Sequence, residues 1–267
     1  TVNPYNYSKF YFMEHTLTAF GGTHSSGYTI NSNLHHFSEA VYNPQNLKQL
    51  YIIDNFIPYH TGVTRLTEDN FGNITEYDFY SQVPDNDLTA IDICASNPNV
   101  IVVAKYNRIP ITSTTNHGRL IKTINGGISW NIVDVFFSND KLNEITDVVI
   151  SATDENKIWV SDYSNKIAVT NNGGINWFTQ TLPNEVKAIY CLYYLRGSND
   201  MVFAGTSAGL YVFVNGTWQQ YNTSFSASNA LLPRSLITGI DYNYNTQTMF
   251  ISSFGRGIWK GKVSCNQ

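Results

Sequence analysis

Five times along the chain an alternating apolar segment leads through a polar turn into a second apolar segment. The pairs are Phe37 to Tyr42 with Gln49 to Asp54, Leu88 to Cys94 with Val100 to Lys105, Ile145 to Ser151 with Lys157 to Asp162, Val186 to Tyr194 with Met201 to Thr206, and Ile237 to Tyr242 with Thr248 to Ser253. Alternation with a period of two predicts half-buried strands. The connections, such as Asn43-Pro44-Gln45-Asn46 and Ser96-Asn97-Pro98-Asn99, hold residues that preset or cap a tight turn, so each pair is a hairpin. The repeats begin near residues 37, 88, 145, 186 and 237, a spacing that suits a four-stranded propeller blade of ~40–50 residues with loop insertions.

Outer strands follow in most units. Gly62 to Thr67 leads through Thr67-Glu68-Asp69-Asn70-Phe71-Gly72 to Thr75 onward, and Gly209 to Val214 leads through Asn215-Gly216 to Thr217 to Tyr221. Asn-Gly between two such runs is a strong signal for a two-residue hairpin. The fifth unit has Gly257 to Lys262 and then stops short of an outermost strand.

The second and third units carry a sharper feature. Thr123-Ile124-Asn125-Gly126-Gly127-Ile128-Ser129-Trp130 returns as Thr170-Asn171-Asn172-Gly173-Gly174-Ile175-Asn176-Trp177, both reading T-x-N-x-G-x-x-W. Asn and Thr side chains can satisfy local backbone groups, and Gly127 or Gly174 can take positive φ, so each copy predicts a turn with a Trp entering the next strand. The motif resembles the Asp-box (BNR) repeat, usually S-x-D-x-G-x-x-W, of sialidase-like and sortilin-like β-propellers, with Thr in place of Ser and Asn in place of Asp. Ser252 to Trp259 is similar to the GT-x-G-R-G-[IV]-W endings of sortilin-like repeats.

The resemblance implies an all-β propeller of four-stranded antiparallel blades over residues 1–267 as one domain, with five or six blades and six favoured. Lys9 to Met13, Leu17 to Gly22 and Tyr28 to Asn31 read as short strands within residues 1–33. They are expected either to close the last blade with an N-terminal strand or to build most of a sixth. The chain opens at Thr1 without an initiator Met, as a mature or excised segment of a larger polypeptide or assembly would.

Composition narrows the partners. Charged residues are 13%, Tyr (18) and Phe (15) are abundant, and a net charge of -4 with scattered basic residues gives no nucleic-acid footprint. No apolar run approaches the ~20 residues that span a bilayer. Cys94, Cys191 and Cys265 show no metal-ligand spacing and read as buried thiols rather than a disulfide scaffold. His35-His36 is no metal pair, because adjacent strand residues face opposite ways. No metal or cofactor is expected.

In an up-and-down blade, the loops joining second to third strands share one face with the links between blades, and the box turns lie on the other. The first set is the longer and is the expected binding face. It offers Tyr59 and His60, Tyr106 and Arg108, Arg234, Tyr163 and Arg256 as ligand contacts. Thr123, Asn125, Gly127, Trp130, Thr170, Asn172, Gly174 and Trp177 are expected to be structural. Tyr106-Asn107-Arg108-Ile109-Pro110 resembles the (F/Y)-R-I-P motif whose Arg clamps a carboxylate in sialidases, but Asn107 interrupts it and it sits in the second repeat. Asp54, Asp87, Asp140, Glu144 and Asp162 are the acids near this face that glycoside hydrolysis would draw on. The expectation is a non-enzymatic extracellular or surface propeller that binds a protein or glycan. A glycoside hydrolase or sialidase-like enzyme, or a structural or adhesive module of a secreted or virion assembly, are the alternatives.

Overall fold

A computed structural model describes residues 9–13, 17–21, 28–29, 37–56, 60–79, 83, 88–105, 118–136, 145–221, 232 and 234–264. Strands β1 (Lys9–Met13), β2 (Leu17–Gly21) and β3 (Tyr28–Thr29) form a sheet of their own. Blade 1 is β4 (Phe37–Tyr42), β5 (Gln49–Phe56), β6 (His60–Glu68) and β7 (Ile74–Asp78). Blade 2 is β8 (Leu88–Ile93), β9 (Ile101–Lys105), β10 (Gly118–Thr123) and β11 (Asn131–Val135). Blade 3 is β12 (Ile145–Ile150), β13 (Ile158–Asp162), β14 (Lys166–Thr170) and β15 (Phe178–Thr181). Blade 4 is β16 (Ile189–Tyr194), β17 (Val202–Thr206), β18 (Gly209–Val214) and β19 (Thr217–Gln220). Blade 5 has three strands, β20 (Ile237–Asn243), β21 (Thr248–Ser253) and β22 (Gly257–Lys262).

All pairings within a blade are antiparallel between successive strands. The favoured count of six is therefore corrected to five, and among the described residues no N-terminal strand closes the last blade: β1 to β3 pair with one another. The fourth repeat also begins later than residue 186: the Val186 amide closes a turn onto the Pro183 carbonyl at 3.0 Å, so pairing starts at Ile189.

Burial follows position within the blade. The second strands β13 and β17 are buried at every residue, since neighbouring blades cover both faces, whereas the outer strands β7, β15 and β19 are largely exposed. The cores lie between blades. Ile53, Val63 and Phe79 of blade 1 pack with Ile91, Ile101 and Trp130 of blade 2, and Val102, Leu120 and Val135 of blade 2 pack with Val148, Ile158 and Ala168 of blade 3. Trp159 and Val169 join blade 3 to Leu192 and Tyr211 of blade 4, and Phe203 and Leu210 join blade 4 to Tyr242 and Ile251 of blade 5.

The two T-x-N-x-G-x-x-W turns fold alike. Thr123 Oγ1 donates to Asn125 Oδ1 (2.9 Å) and accepts from the amides of Asn125 (3.3 Å) and Gly127 (3.0 Å), while the Ser129 amide donates to Asn125 Oδ1 (2.9 Å). Thr170, Asn172, Gly174 and Asn176 repeat this set at the same distances. Gly127 has φ +94°, and a Cβ on it would stand 2.3 Å from the Phe79 ring; Gly174, at +101°, would meet Val133 at 2.3 Å. Each turn thus seats its glycine against the preceding blade. A Thr123→Val variant loses the hydroxyl that satisfies two amides and is expected to unfold with about 1–3 kcal/mol less stability in urea titration.

Candidate functional site

The five inner strands β4, β8, β12, β16 and β20 converge on a central cavity of about 350 Å³. Acidic side chains from four of the strands reach it: Glu39, Asp92, Asp147 and Asp241, with Arg196 from the first turn of blade 4. Three of the acids tie one blade to the next. Glu39 Oε2 accepts from the Ile91 amide (2.8 Å), Asp92 Oδ2 from the Ile150 amide (2.8 Å) and Asp147 Oδ2 from the Leu192 amide (2.6 Å). Asp92 and Asp147 also accept from the following residue of their own strand, Ile93 and Val148.

Burial sets their acidity. Desolvation pushes the Asp92 carboxyl up to about 6, against the pull of the Arg196 guanidinium and the two amides it accepts from. Desolvation takes Asp147 to about 7, opposed by the Leu192 and Val148 amides and reinforced by the Asp92 charge. Glu39 is raised well above the usual carboxylate range by burial and then by Asp147, and Asp241 is raised by burial. The sequence reading missed this set. Its signal was present, since an acid interrupts an otherwise apolar inner strand in four of the five repeats. Among the described residues no group of three acids, His or Cys is arranged to hold a metal ion.

The blade meander places β9–β10-type loops and inter-blade links on one face and the glycine turns on the opposite one. Gly126 donates to Asn99 O and Gly173 to Asn156 O, both at 2.9 Å, which pins each glycine turn to the first turn of its own blade. Of the residues read as ligand contacts, Tyr59, Tyr106 and Arg108 lie outside the described residues, and His60 opens β6. Tyr163, Arg234 and Arg256 stand exposed on the long-loop face. Arg234 Nη2 donates to Gln220 Oε1 (3.1 Å), and the Arg256 carbonyl accepts from Trp259 Nε1 (3.2 Å). Of the acids near this face, Asp87, Asp140 and Glu144 lie outside the described residues, Asp54 belongs to β5, and Asp162 is buried beneath Ser164, from whose amide it accepts.

Tyr163 is 50% exposed and meets Tyr190 edge to face, ring centroids 6.0 Å apart at 79°. The reason is a repeated irregularity: the inner strand of every blade shifts register near its start, between Phe37 and Ala40, Leu88 and Ala90, Ile145 and Asp147, Ile189 and Cys191, and Ile237 and Gly239. Such a bulge re-aims the extra residue's side chain. Blades 2, 3 and 5 place Thr89, Thr146 and Thr238 there, whose hydroxyls bond Ile145 O, Ser161 and Ser252. Blade 4 places Tyr190 there, and its ring packs against Tyr163 of blade 3. Phe254, 74% exposed and two residues from Arg256, adds another aromatic side chain to this face.

No protein-family model and no curated protein sequence matches the chain. Solved structures do. An ancestral GH74 enzyme superposes with a TM-score of 0.64 at 14% identity, covering 97% of this chain and 35% of that one. The extracellular domain of what is described as a one-component system of B. thetaiotaomicron gives a TM-score of 0.65 at 13% identity, covering 97% and 32%. A gluconolactonase from Xanthomonas campestris gives 0.57 at 12% identity, covering 92% and 81%. The chain spans about a third of the length of the first two. No helix among the described residues is long and apolar enough to cross a membrane. At these identities the likeness is one of fold, and the chain is a five-bladed β-propeller of antiparallel blades, four of them four-stranded among the described residues.

Proposed function

We propose that residues 1–267 form one extracellular or surface-exposed propeller of the Asp-box type that binds a glycan, without catalysis, through its long-loop face. The observation that carries the reading is the Tyr163–Tyr190 pair, an exposed aromatic edge held at a blade boundary by a strand irregularity, with Phe254 and Arg256 on the same face. Exposed rings flanked by polar groups suit stacking on sugar faces, and they equally anchor protein partners. The matched hydrogen bonds of the two glycine turns support the Asp-box assignment, and the fold shared with an extracellular domain supports the location.

Glycan-array screening tests this. The wild-type protein is expected to give saturable binding to a small set of glycans, and Tyr163→Ala and Phe254→Ala each to lower the affinity at least tenfold while the melting temperature holds. A blank array, with capture of a protein ligand that Tyr163→Ala abolishes, would move the reading to a protein partner. Array signals untouched by both variants would remove this face from the proposal.

One observation favours glycoside hydrolysis as a second reading: Asp92 and Asp147, with acidities near 6 and 7, line the channel in the range where a carboxyl can serve as a general acid. Against it, both oxygens of each already accept backbone amides. Release of reducing sugar from polysaccharides by the wild type, lost in Asp147→Asn, would establish the enzyme.

A further inference from the structure

The seam between blades 3 and 4 is closed differently from the two seams before it. Residues 124–130 join β10 to β11 and residues 171–177 join β14 to β15, whereas Asn215 and Gly216 alone join β18 to β19. Strand pairing fixes which residues correspond. Thr123, Thr170 and Phe213 lie opposite Ile101, Ile158 and Val202, the first residues of β9, β13 and β17. Phe213 thus stands where blades 2 and 3 have the threonine that holds the glycine turn, and its cross-strand partner Trp218 stands in for Trp130 and Trp177. By the same register, Gln180 of β15 is the counterpart of Val133 of β11.

In blade 3 the turn fills the space between those two positions. A Cβ on Gly174 would stand 2.3 Å from Val133 and 3.6 Å from the Trp177 ring. Blade 4 leaves the space open: among the described residues, a Cβ on Gly216 would meet no atom within 4 Å. What results is a groove of about 410 Å³, within the range of ligand clefts, about 300–1,000 Å³. Leu182 and Pro183 line it from the blade 3 side, and Phe213 and Trp218 from blade 4 with ring centroids 5.4 Å apart. Gln180 Oε1 accepts the Trp218 indole N–H at 2.7 Å, which fixes the ring at the seam. No charged side chain is among the lining residues, and neither Tyr163 nor Tyr190 is.

Blades 2 and 3 show what this space accommodates, namely polypeptide backbone with a glycine at the point of closest approach. We propose that the groove beside Trp218 docks an uncharged, glycine-bearing turn of a partner protein, which completes in trans the seam that the turns of blades 2 and 3 complete in cis. Phe213 and Trp218 supply the aromatic surface on which such a contact gains its energy, and the uncharged lining disfavours a turn that would bring a charge into it. The chain's own two turns of this kind already hold their glycines against Phe79 and Val133, so the occupant is a different protein.

The probe is a capped peptide copying residues 170–176, titrated into the ¹⁵N-labelled 267-residue protein and read at the tryptophan indole N–H signals. The Trp218 signal is identified as the one missing from Trp218→Phe. It is expected to shift saturably while those of Trp130 and Trp159 hold. Peptides carrying Gly174→Val or Ile175→Asp are each expected to bind at least tenfold more weakly, as is the wild-type peptide to Thr181→Trp, which crowds the groove from an exposed position. An unchanged melting temperature and backbone spectrum show that this variant is folded. Tyr163→Ala is expected to leave the titration unchanged, which keeps this site apart from the long-loop reading. No saturable shift, equal binding of the Gly174→Val peptide, or no effect of Thr181→Trp would overturn the proposal. So would a Trp218 shift produced by cellobiose and not by the peptide, which would give the groove to a sugar. A peptide-free dimer in sedimentation that Thr181→Trp abolishes would give it to a second copy and overturn the proposal equally.

Discussion

Replacing Trp130 with Ala is expected to lower the unfolding free energy by about 3–5 kcal/mol, the range for deleting a large buried aromatic side chain. Trp130 is 8% exposed, packs edge to face on Phe79 of blade 1 at 6.1 Å, and donates its indole N–H to Gly127 O at 3.1 Å. Its loss opens a cavity in the core shared by blades 1 and 2 and removes the ring over which Phe79 and Gly127 meet. Trp177 holds the same place in blade 3 but is only partly buried, and it donates to Asp134 O of blade 2 at 2.9 Å. Its Ala variant is expected to lose about 1–3 kcal/mol, largely that hydrogen bond and part of the packing. Urea unfolding of both variants checks the pair. An equal loss would mean that the two turns bear on their neighbours alike despite different burial, and loss of glycan binding at unchanged stability would contradict the separation of the two faces.

What the sequence made legible is what repeats. The strand pairs could be read because their turns carry Asn, Pro, Asp and Gly in patterns with a local cause, and the twin motif because Thr and Asn satisfy amides two to four residues away. The blade count could not be, since β1 to β3 have the right alternation and only pairing decides which sheet they join. The sequence offered Tyr163 through its loop but not its ring partner Tyr190, which lies inside an apolar strand; the register shift beside Tyr190 leaves no sequence mark. The channel acids were overlooked for the opposite reason. A lone Asp or Glu in a strand reads as a surface residue until the ring brings five inner strands together and gives Glu39, Asp92 and Asp147 each an amide of the next blade.

Stability is expected to fall as pH rises from about 4 to about 7, opposite to the behaviour of a protein held by exposed ion pairs. The sign follows from the channel. An acid whose folded-state pKa lies above its unfolded value keeps its proton longer in the native state, so the native state binds more protons over that interval and each step up in pH favours unfolding. Asp147, raised to about 7, contributes most directly, on the order of 4 kcal/mol across the interval from the unfolded Asp value near 4. Asp92, raised to about 6, and Glu39 and Asp241, both raised by burial, act in the same direction, while Arg196 limits the effect at Asp92. Below about pH 4 the trend turns over. Burial raises Asp200, but the hydrogen bonds from Lys157 (2.5 Å) and Tyr194 (2.9 Å) outweigh it and hold the carboxyl low, so its protonation removes stability. Urea unfolding at pH 5 and pH 8 reads the slope. In Asp147→Asn the slope is expected to shrink, because the amide does not titrate. At pH 5 the variant should be weaker than wild type by about 1–3 kcal/mol, since its NH₂ cannot accept from the Leu192 amide, and at pH 8 the gap should close or reverse as the wild type buries a charge that the variant lacks. A wild-type stability that climbs from pH 5 to pH 8 would show that the channel carboxylates ionise at little cost, and the ties between blades would then rest on charges neutralised by Arg196 or by bound cations.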